Sequence, residues 1–476
     1  MTPAIKISVV ALAGVLGGCA TTSVDRNFNQ AQSVVQQRFG VDAKWLTTDE
    51  ARREAASEVD RLLQQPLSAD DAVRIALAYS PSLQTMLFDS AAVSSDVTQS
   101  ARLPNPVFTF ERLVRDEGGM RELEINRMLA ISVLDLLLLP SRLRAADYQQ
   151  QQVGWKLATD VAQTALDARQ AWVRAVAAQQ SLRYVEQVKA AADASAELAR
   201  RMQAVGNFSK LQRAREQAFS AEAVVQLARA QQRTQNAREV LVRALGLDEA
   251  RAVALKLPDR LPDLPAAPSD EEAVARNALD QRLDVQMARA NLDYLARTQG
   301  LTRVTSFVDA FHVAGVYNSE TGKPPKKGYE LELALPIFDF GDAVRTGAQA
   351  RYMAALNRAA KLAVDASSQV RETYTGYRTA YDLARHYRDE IVPLRKLIAD
   401  ENLLRYNGML IGVFELLADA REQISSVVQA IEAQRDYWLA DAALQGSLLG
   451  IPISGTSMKP LSSESTPMVG AAAPAH

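Results

Sequence analysis

The sequence predicts a mainly helical chain with a small β part, in which a strand hairpin followed by a long helical hairpin occurs twice. Three observations carry this reading. Long stretches dominated by Ala, Leu, Gln, Arg and Glu contain almost no glycine or proline, a composition that favours helix. Short runs of strand character precede them. The pattern of the first half then recurs in the second half at a nearly constant offset.

Residues 141–205 hold no proline and one glycine, Gly154. Unbroken, that helix would reach roughly 97 Å. Leu157, Val161, Ala165, Ala168, Trp172 and Val176 step by 4, 4, 3, 4 and 4. This is a single apolar seam of the coiled-coil kind, with alanines small enough for close helix approach. Gly206-Asn207 reads as a turn, and residues 207–245 return. In the second half, residues 342–407 form the long helix, with Gly347, Gly376 and Pro393 expected to interrupt it. Pro393 should kink the helix or break its hydrogen bonding. Residues 413–445 return. Taken alone, these stretches also fit a solvent-bridging coiled coil.

The duplication is visible in the letters. Gly206-Asn-Phe-Ser-Lys-Leu-Gln-Arg-Ala-Arg-Glu-Gln217 aligns with Gly412-Val-Phe-Glu-Leu-Leu-Ala-Asp-Ala-Arg-Glu-Gln423, identical at seven of twelve positions with an offset of 206. Glu122-Leu123-Glu124-Ile125 aligns with Glu330-Leu331-Glu332-Leu333 at an offset of 208. Two separate matches at nearly one offset argue for two copies of one unit.

Each helical pair follows a strand hairpin. Residues 106–114 read as a strand, 115–119 as its turn and 121–131 as the return. In the second half, residues 305–317 read as a strand, 318–328 as a loop and 329–337 as the return. There Tyr329, Leu331, Leu333, Leu335 and Ile337 alternate with Glu330, Glu332 and Ala334. Such alternation fits a barrel strand, apolar outside and polar inside, and equally a half-buried soluble sheet. Residues 258–268 hold four prolines and read as a linker. Residues 19–66 form an N-terminal segment with a helical stretch near 49–65. Residues 454–476 are rich in Ser, Ala, Thr and Pro and read as a disordered tail.

Residues 1–18 carry one basic residue, Lys6, and an apolar run of signal-peptide length. Leu16-Gly17-Gly18-Cys19 follows. This resembles the bacterial lipobox, in which the cysteine thiol takes a diacylglycerol group. Cys19 is the sole cysteine, so it has no internal disulfide partner. Multiple acyl chains (palmitate among them) anchor stably at roughly 0.8 kcal/mol per buried CH₂. Ala20, rather than Asp, favours the outer membrane by resemblance to lipoprotein sorting. No segment approaches about 18 consecutive apolar residues, so any membrane crossing must use strands of a closed barrel.

Composition narrows the function. The 54 basic and 56 acidic residues leave a net charge of −2, without the basic stripe that nucleic-acid binding needs. The three histidines, His312, His386 and His476, lack metal-ligand spacing. No P-loop, Gly-x-Ser-x-Gly or triad-like set is present, so no enzyme activity, metal or cofactor is expected beyond the covalent lipid. His312, on a strand, reads as lumenal or interfacial rather than as a ligand.

The order of elements resembles the TolC family of outer-membrane efflux proteins over residues 67–450. Leu67-Ser-Ala-Asp-Asp-Ala-Val-Arg-Ile-Ala-Leu77 is similar to the family's opening helix, with Ser80-Pro81 where Asn-Pro is usual. Leu103-Pro-Asn-Pro106 resembles the entry to the first strand. Leu335-Pro-Ile-Phe-Asp-Phe-Gly341 resembles the exit from the last; its first-half counterpart, residues 131–140, lacks the glycine. Tyr406-Asn-Gly408 and Phe414-Glu-Leu-Leu417 resemble the second hairpin tip. The organisation is then a signal peptide (1–18), a lipid-anchored segment (19–66), a first repeat (67–257), a linker (258–268), a second repeat (269–453) and a tail (454–476).

The resemblance implies a homotrimer whose strands form one 12-stranded β-barrel on an α-helical periplasmic barrel. It also implies a periplasmic adaptor and an inner-membrane pump as partners. The expected function is a duct through periplasm and outer membrane for tripartite efflux or type I-like secretion. The alternative is a periplasmic coiled-coil lipoprotein with a scaffolding or adaptor role and no pore. Glu122, Glu124, Glu330 and Glu332 share the face opposite the apolar one; they read as lumenal carboxylates favouring cations or as a solvated face. Glu415 and Asp419, spaced i, i+4, read as periplasmic gate residues or as a surface pair. Gly206, Gly408 and Gly412, with Phe208, Leu211, Phe414 and Leu417, read as the adaptor-docking tips or as helix ends and seam filling.

Overall fold

A computed structural model of the chain describes residues 19–117, 120–270, 282–306, 310–334 and 337–451. The signal-peptide reading, the turn glycines Gly118 and Gly119, Leu335-Pro336 of the last-strand exit and the tail reading fall outside the described residues.

Four helices open the described residues: α1 (Cys19–Phe39), α2 (Asp49–Leu62), α3 (Ala69–Tyr79) and α4 (Pro81–Ser100). Thr48 and Ser68 cap α2 and α3 by accepting from Ala51 N and Asp71 N, which satisfies amides that lack an intrahelical partner. Two strands follow, β1 (Val107–Glu117) and β2 (Met120–Ser132). The long hairpin α5 (Val133–Ala204) and α6 (Lys210–Leu245) comes next, then short α7 (Glu249–Ala254). The second half contains α8 (Leu283–Thr305), β3 (Phe311–Glu320), β4 (Lys326–Leu333), α9 (Asp342–His386), α10 (Val392–Asn407) and α11 (Val413–Leu449).

The strands form one antiparallel sheet in the order β1-β2-β3-β4. Its central pair, β2 and β3, joins the two repeats, with Asn126 opposite Asn318 and Arg127 opposite Tyr317. The first strands are longer than the sequence reading: residues 115–117 remain in β1, against an expected turn at 115–119. In the second half, residues 305–317 do not form one strand. Helix α8 runs through Thr305, and β3 starts at Phe311. The expected loop shrinks as well, because Lys326, Lys327 and Gly328 pair with Asn318, Tyr317 and Val316. Backbone pairing overrides the local preference of lysine and glycine for a loop.

Helix α5 spans 72 residues, roughly 108 Å. It begins eight residues before Ser141 and carries Pro140 inside it, where the sequence reading placed a strand exit. Ser132 caps this start by accepting from Asp135 N at 3.2 Å, and Arg142 pairs with Asp135 at 2.6 Å across Pro140. A proline in an early turn forfeits one helical hydrogen bond, and these contacts hold the turn around it. The apolar seam is as the sequence spacing predicts: Leu157, Val161, Ala165, Ala168, Trp172 and Val176 are all buried. Trp172 also donates its indole N–H to the Leu67 carbonyl at 2.7 Å, so a large ring is buried without a stranded donor.

Gly154 explains itself here. A Cβ on it would lie 2.6 Å from Gln30 Oε1 and 3.1 Å from Asn27 Oδ1, so a larger residue there would make the Gln30 and Asn27 side chains move aside where α1 lies against α5. Asn27 Nδ2 donates to Gln150 at 3.0 Å, and Ser94 Oγ donates to Gln150 at 2.7 Å. These buried contacts run α1 alongside α5 in the same direction.

Between α9 and α10 lies one π-helical turn, Tyr387–Ile391. Pro393 sits just after it, at the start of α10. The wider turn absorbs the amide that proline lacks. Gly347 and Gly376 do not interrupt α9, which is continuous through both.

The core lies mid-length along the helices. Trp172, Leu241, Leu245 and Leu67 form one buried cluster, and Tyr377, Tyr381 and Tyr437 form another. The proline-rich segment 258–268 is strapped to the second. Tyr381 Oη donates to the Pro265 carbonyl at 3.1 Å, and Trp438 Nε1 donates to the Pro262 carbonyl at 3.0 Å.

Candidate functional site

The sheet has two unlike faces. Residues paired across strands share a face, and alternate residues along a strand return to it. One face carries Glu122 opposite Arg115, Glu124 between Leu113 and Glu320, Glu330 opposite Ala314, and Glu332 opposite His312. All four strand glutamates therefore share one face. His312 Nδ1 lies 3.4 Å from Glu332 Oε2. Glu111 belongs to this face too, accepting from Asn126 Nδ2 at 3.0 Å. So does Glu320, which holds Lys323 at 2.5 Å. The sequence reading missed Glu111 and Glu320, because it took its glutamates from the two matched Glu-x-Glu segments and neither residue lies in one.

The opposite face carries Phe108, Leu129 and Tyr329 in one cross-strand row, and Ile131, Val313 and Leu331 in the next. Phe108, Leu129, Tyr329 and Leu331 are exposed in the single chain. Among the described residues, strands β1 and β4 each have one edge without a partner strand.

At the far end of the helices, the tips of the two helical hairpins meet. Gly206 takes a left-handed φ of 82°, which suits glycine. Ser209 and Gln212 then close a capping box at the start of α6. At the second tip the left-handed position falls on Met409, with φ 59°, and not on Gly408. Gly412 precedes α11 in extended conformation without a side-chain cap. Phe208 and Phe414 stack on each other at 4.3 Å between ring centroids. They join the two tips and are half-buried, as is Leu417. The apolar surface at the tips is instead Met409 (93% exposed), Leu410 (73%), Val205 (72%) and Leu211 (63%).

Glu415 is exposed in the first turn of α11, where the helix N-terminus favours an acid. Asp419 is half-buried and accepts from Asn402 Nδ2 of α10. It lies in the seam of its own hairpin, so the structure gives these two acids different surroundings.

A cluster that the sequence reading did not single out lies roughly two turns above the tips. Arg421 of α11 reaches Glu216 Oε2 of α6 at 2.6 Å and Ser195 Oγ of α5 at 3.2 Å. Ser195 Oγ donates to the same Glu216 oxygen at 2.5 Å. The guanidinium carbon stands 3.7 Å from the Phe219 ring centroid. The Arg421 and Glu216 side chains are 24% and 14% exposed. Such a charge-assisted, partly desolvated contact is stronger than a surface ion pair. Its signal was present: Ala-Arg-Glu-Gln occurs in both copies, at 214–217 and 420–423. The copies use it differently. Glu422, the counterpart of Glu216, pairs with Arg395 of its own hairpin at 3.4 Å.

Among the described residues no helix is long and apolar enough to cross a membrane, and no group of His, Cys, Asp and Glu could hold a metal ion.

This arrangement is the fold of solved outer-membrane channels. A Pseudomonas aeruginosa membrane protein superposes with a TM-score of 0.67 at 19% identity, covering 85% of this chain and 95% of that one. The outer-membrane channel OprN gives 0.65 at 16% identity, covering 86% and 94%. The Campylobacter jejuni CmeC outer membrane channel gives 0.68 at 14% identity, covering 80% and 85%. No family model matches the chain. No curated protein matches it.

Proposed function

We propose that the chain is a lipid-anchored outer-membrane duct that works as a homotrimer with a periplasmic adaptor and an inner-membrane pump. The single observation that carries this reading is the sheet: four strands with one acidic face, one apolar face and two open edges. Four strands are too few to close a barrel, which needs about eight or more, whereas three copies would supply twelve. The open edges of β1 and β4 would pair between copies, since an exposed edge is otherwise a template for aggregation. The apolar face would meet lipid and the glutamates would line the lumen. Solved channels of the same fold support the reading.

Helix α1 begins at Cys19 and runs with α5. Residue 19 then lies roughly 12 Å from Asn27 toward the strands, at the end where a lipid anchor would act. The hairpin tips, with Met409, Leu410, Val205 and Leu211 exposed, would receive the adaptor. Arg421, Glu216 and Ser195 would hold neighbouring hairpins together at the periplasmic entrance. The duct itself performs no bond-breaking chemistry.

The test is reconstitution. Purified protein should run as a trimer in mild detergent and give discrete conductance steps in planar bilayers. A monomer released from membranes by salt or alkali would instead support the scaffolding alternative.

A further inference from the structure

The apolar face of the sheet is interrupted by a basic row. Arg127 of β2, Tyr317 of β3 and Lys327 of β4 lie side by side. The Arg127 guanidinium carbon is 5.5 Å from the Tyr317 ring centroid, and Lys327 Nζ is 5.7 Å from it. Arg112 of β1 stands one row nearer the strand turns, opposite Ile125. This row, the one above and the one below contain no acidic residue on that face.

A lipid-facing Arg or Lys costs about 2–4 kcal/mol at the bilayer midplane and about 0–1 near the interface. Three cations in adjacent rows therefore mark the height of the headgroups. The rows beneath agree. They are apolar from Phe108, Leu129 and Tyr329 down to Phe311 and Leu333. The basic row lies on the side of the strand turns, away from the helices. In the duct reading, on which this inference rests, that is the outer leaflet.

Directly beneath Tyr317 on the same face is Gly315, between Leu129 and Tyr329. A Cβ added to Gly315 would meet nothing within 4 Å. The row below the cations thus has a notch with apolar walls. We propose that this patch is a docking site for the phosphorylated glycolipid of the outer leaflet. A phosphate sits between Arg127 and Lys327, with Arg112 above, and one acyl chain lies along the Gly315 notch. Charge complementarity selects the phosphate, and the notch selects a lipid over a free anion.

Native mass spectrometry of the full-length protein in detergent tests this. The probes are diphosphorylated lipid A, its dephosphorylated form and phosphatidylglycerol, with bilayer conductance measured on the same preparation. Wild type should retain the diphosphorylated lipid in preference to both others. Arg127→Gln with Lys327→Gln should weaken retention roughly tenfold or more, as expected for lost charge-assisted contacts. Arg127→Lys should retain it, and Gly315→Leu should weaken it while leaving conductance intact. Equal retention of dephosphorylated lipid or phosphatidylglycerol would overturn the site and leave the duct reading standing. So would undiminished retention by the double variant. Failure of wild type to conduct or insert would overturn both.

Discussion

Arg421 and Glu216 occupy neighbouring positions of the same four-residue motif in the two repeats, yet they bind each other across the hairpins at 2.6 Å. Removing the guanidinium leaves Glu216 facing only Ser195 in a poorly solvated seam. Arg421→Ala should weaken the junction by about 1–3 kcal/mol and raise single-channel conductance. Arg215→Ala, at the matching position of the first repeat, should do so much less. Equal conductance in wild type and Arg421→Ala would remove the pair from the entrance mechanism.

The acidic strand face has an electrical consequence. Replacing Glu122, Glu124, Glu330 and Glu332 together by Gln should lower the cation-to-anion permeability ratio several-fold, because carboxylates lining a pore concentrate cations. Glu111 and Glu320 share the face, so the quadruple variant should retain some preference, and adding Gln at both should remove more. Reversal potentials under a salt gradient measure this. An unchanged potential would put the face outside the conducting path.

Burial pushes the Asp441 carboxyl up, against an opposing pull from Arg169 and a hydrogen bond from Gln445. A raised carboxylate binds its proton more tightly in the folded chain than in the unfolded one. Its ionisation therefore costs stability as pH rises through the folded pKa, and the cost vanishes at pH below the unfolded value. Asp441→Asn keeps an acceptor for Gln445 Nε2, now 2.8 Å away. It should melt higher than wild type at pH 8, with the gain shrinking as pH falls into the acid range. A gain independent of pH would show that the carboxyl charge is not the cause.

Trp172 is 3% exposed and donates to Leu67. Trp172→Ala should cost roughly 3–5 kcal/mol, read as a lower melting temperature of the helical signal in detergent. Trp172→Phe should cost less, since it keeps most of the ring while stranding the Leu67 carbonyl.

For the anchor, Cys19→Ser should abolish incorporation of radiolabelled palmitate and leave the leader uncleaved, so that the purified chain gains the leader's mass and lacks that of the lipid. Labelling that persists would place the acyl group elsewhere.

The helical part of this fold was legible because its signals are local and repeated. The seam from Leu157 to Val176 needs only its spacing, and Pro393 announces a break wherever it sits. The misplaced boundaries at Lys326 and Ser141 share one cause. Each was decided by specific pairing or capping partners that hydropathy spacing does not reveal: Asn318 and Tyr317 for the lysine strand, and Ser132 with the Asp135–Arg142 pair for the helix start. Gly154 was visible as an oddity, but its meaning required Gln30, more than a hundred residues away. The site followed the same rule. The four glutamates were readable from alternation, whereas Arg421 was hidden because a motif match shows common descent and not which partner each copy chooses.

Pairing β2 with β3 fuses the two repeats at the sheet, and this changes what the assembly can evolve. A ring of six separate single-repeat chains would have to alter every hairpin at once with each mutation. Joined in one chain, alternate hairpins can drift apart. Ser209 caps α6 with a reciprocal box while Gly412 leaves α11 uncapped, and Glu216 and Glu422 have taken different partners. In the proposed trimer, three hairpins could then stay fixed while the other three move, a division of labour closed to six identical subunits.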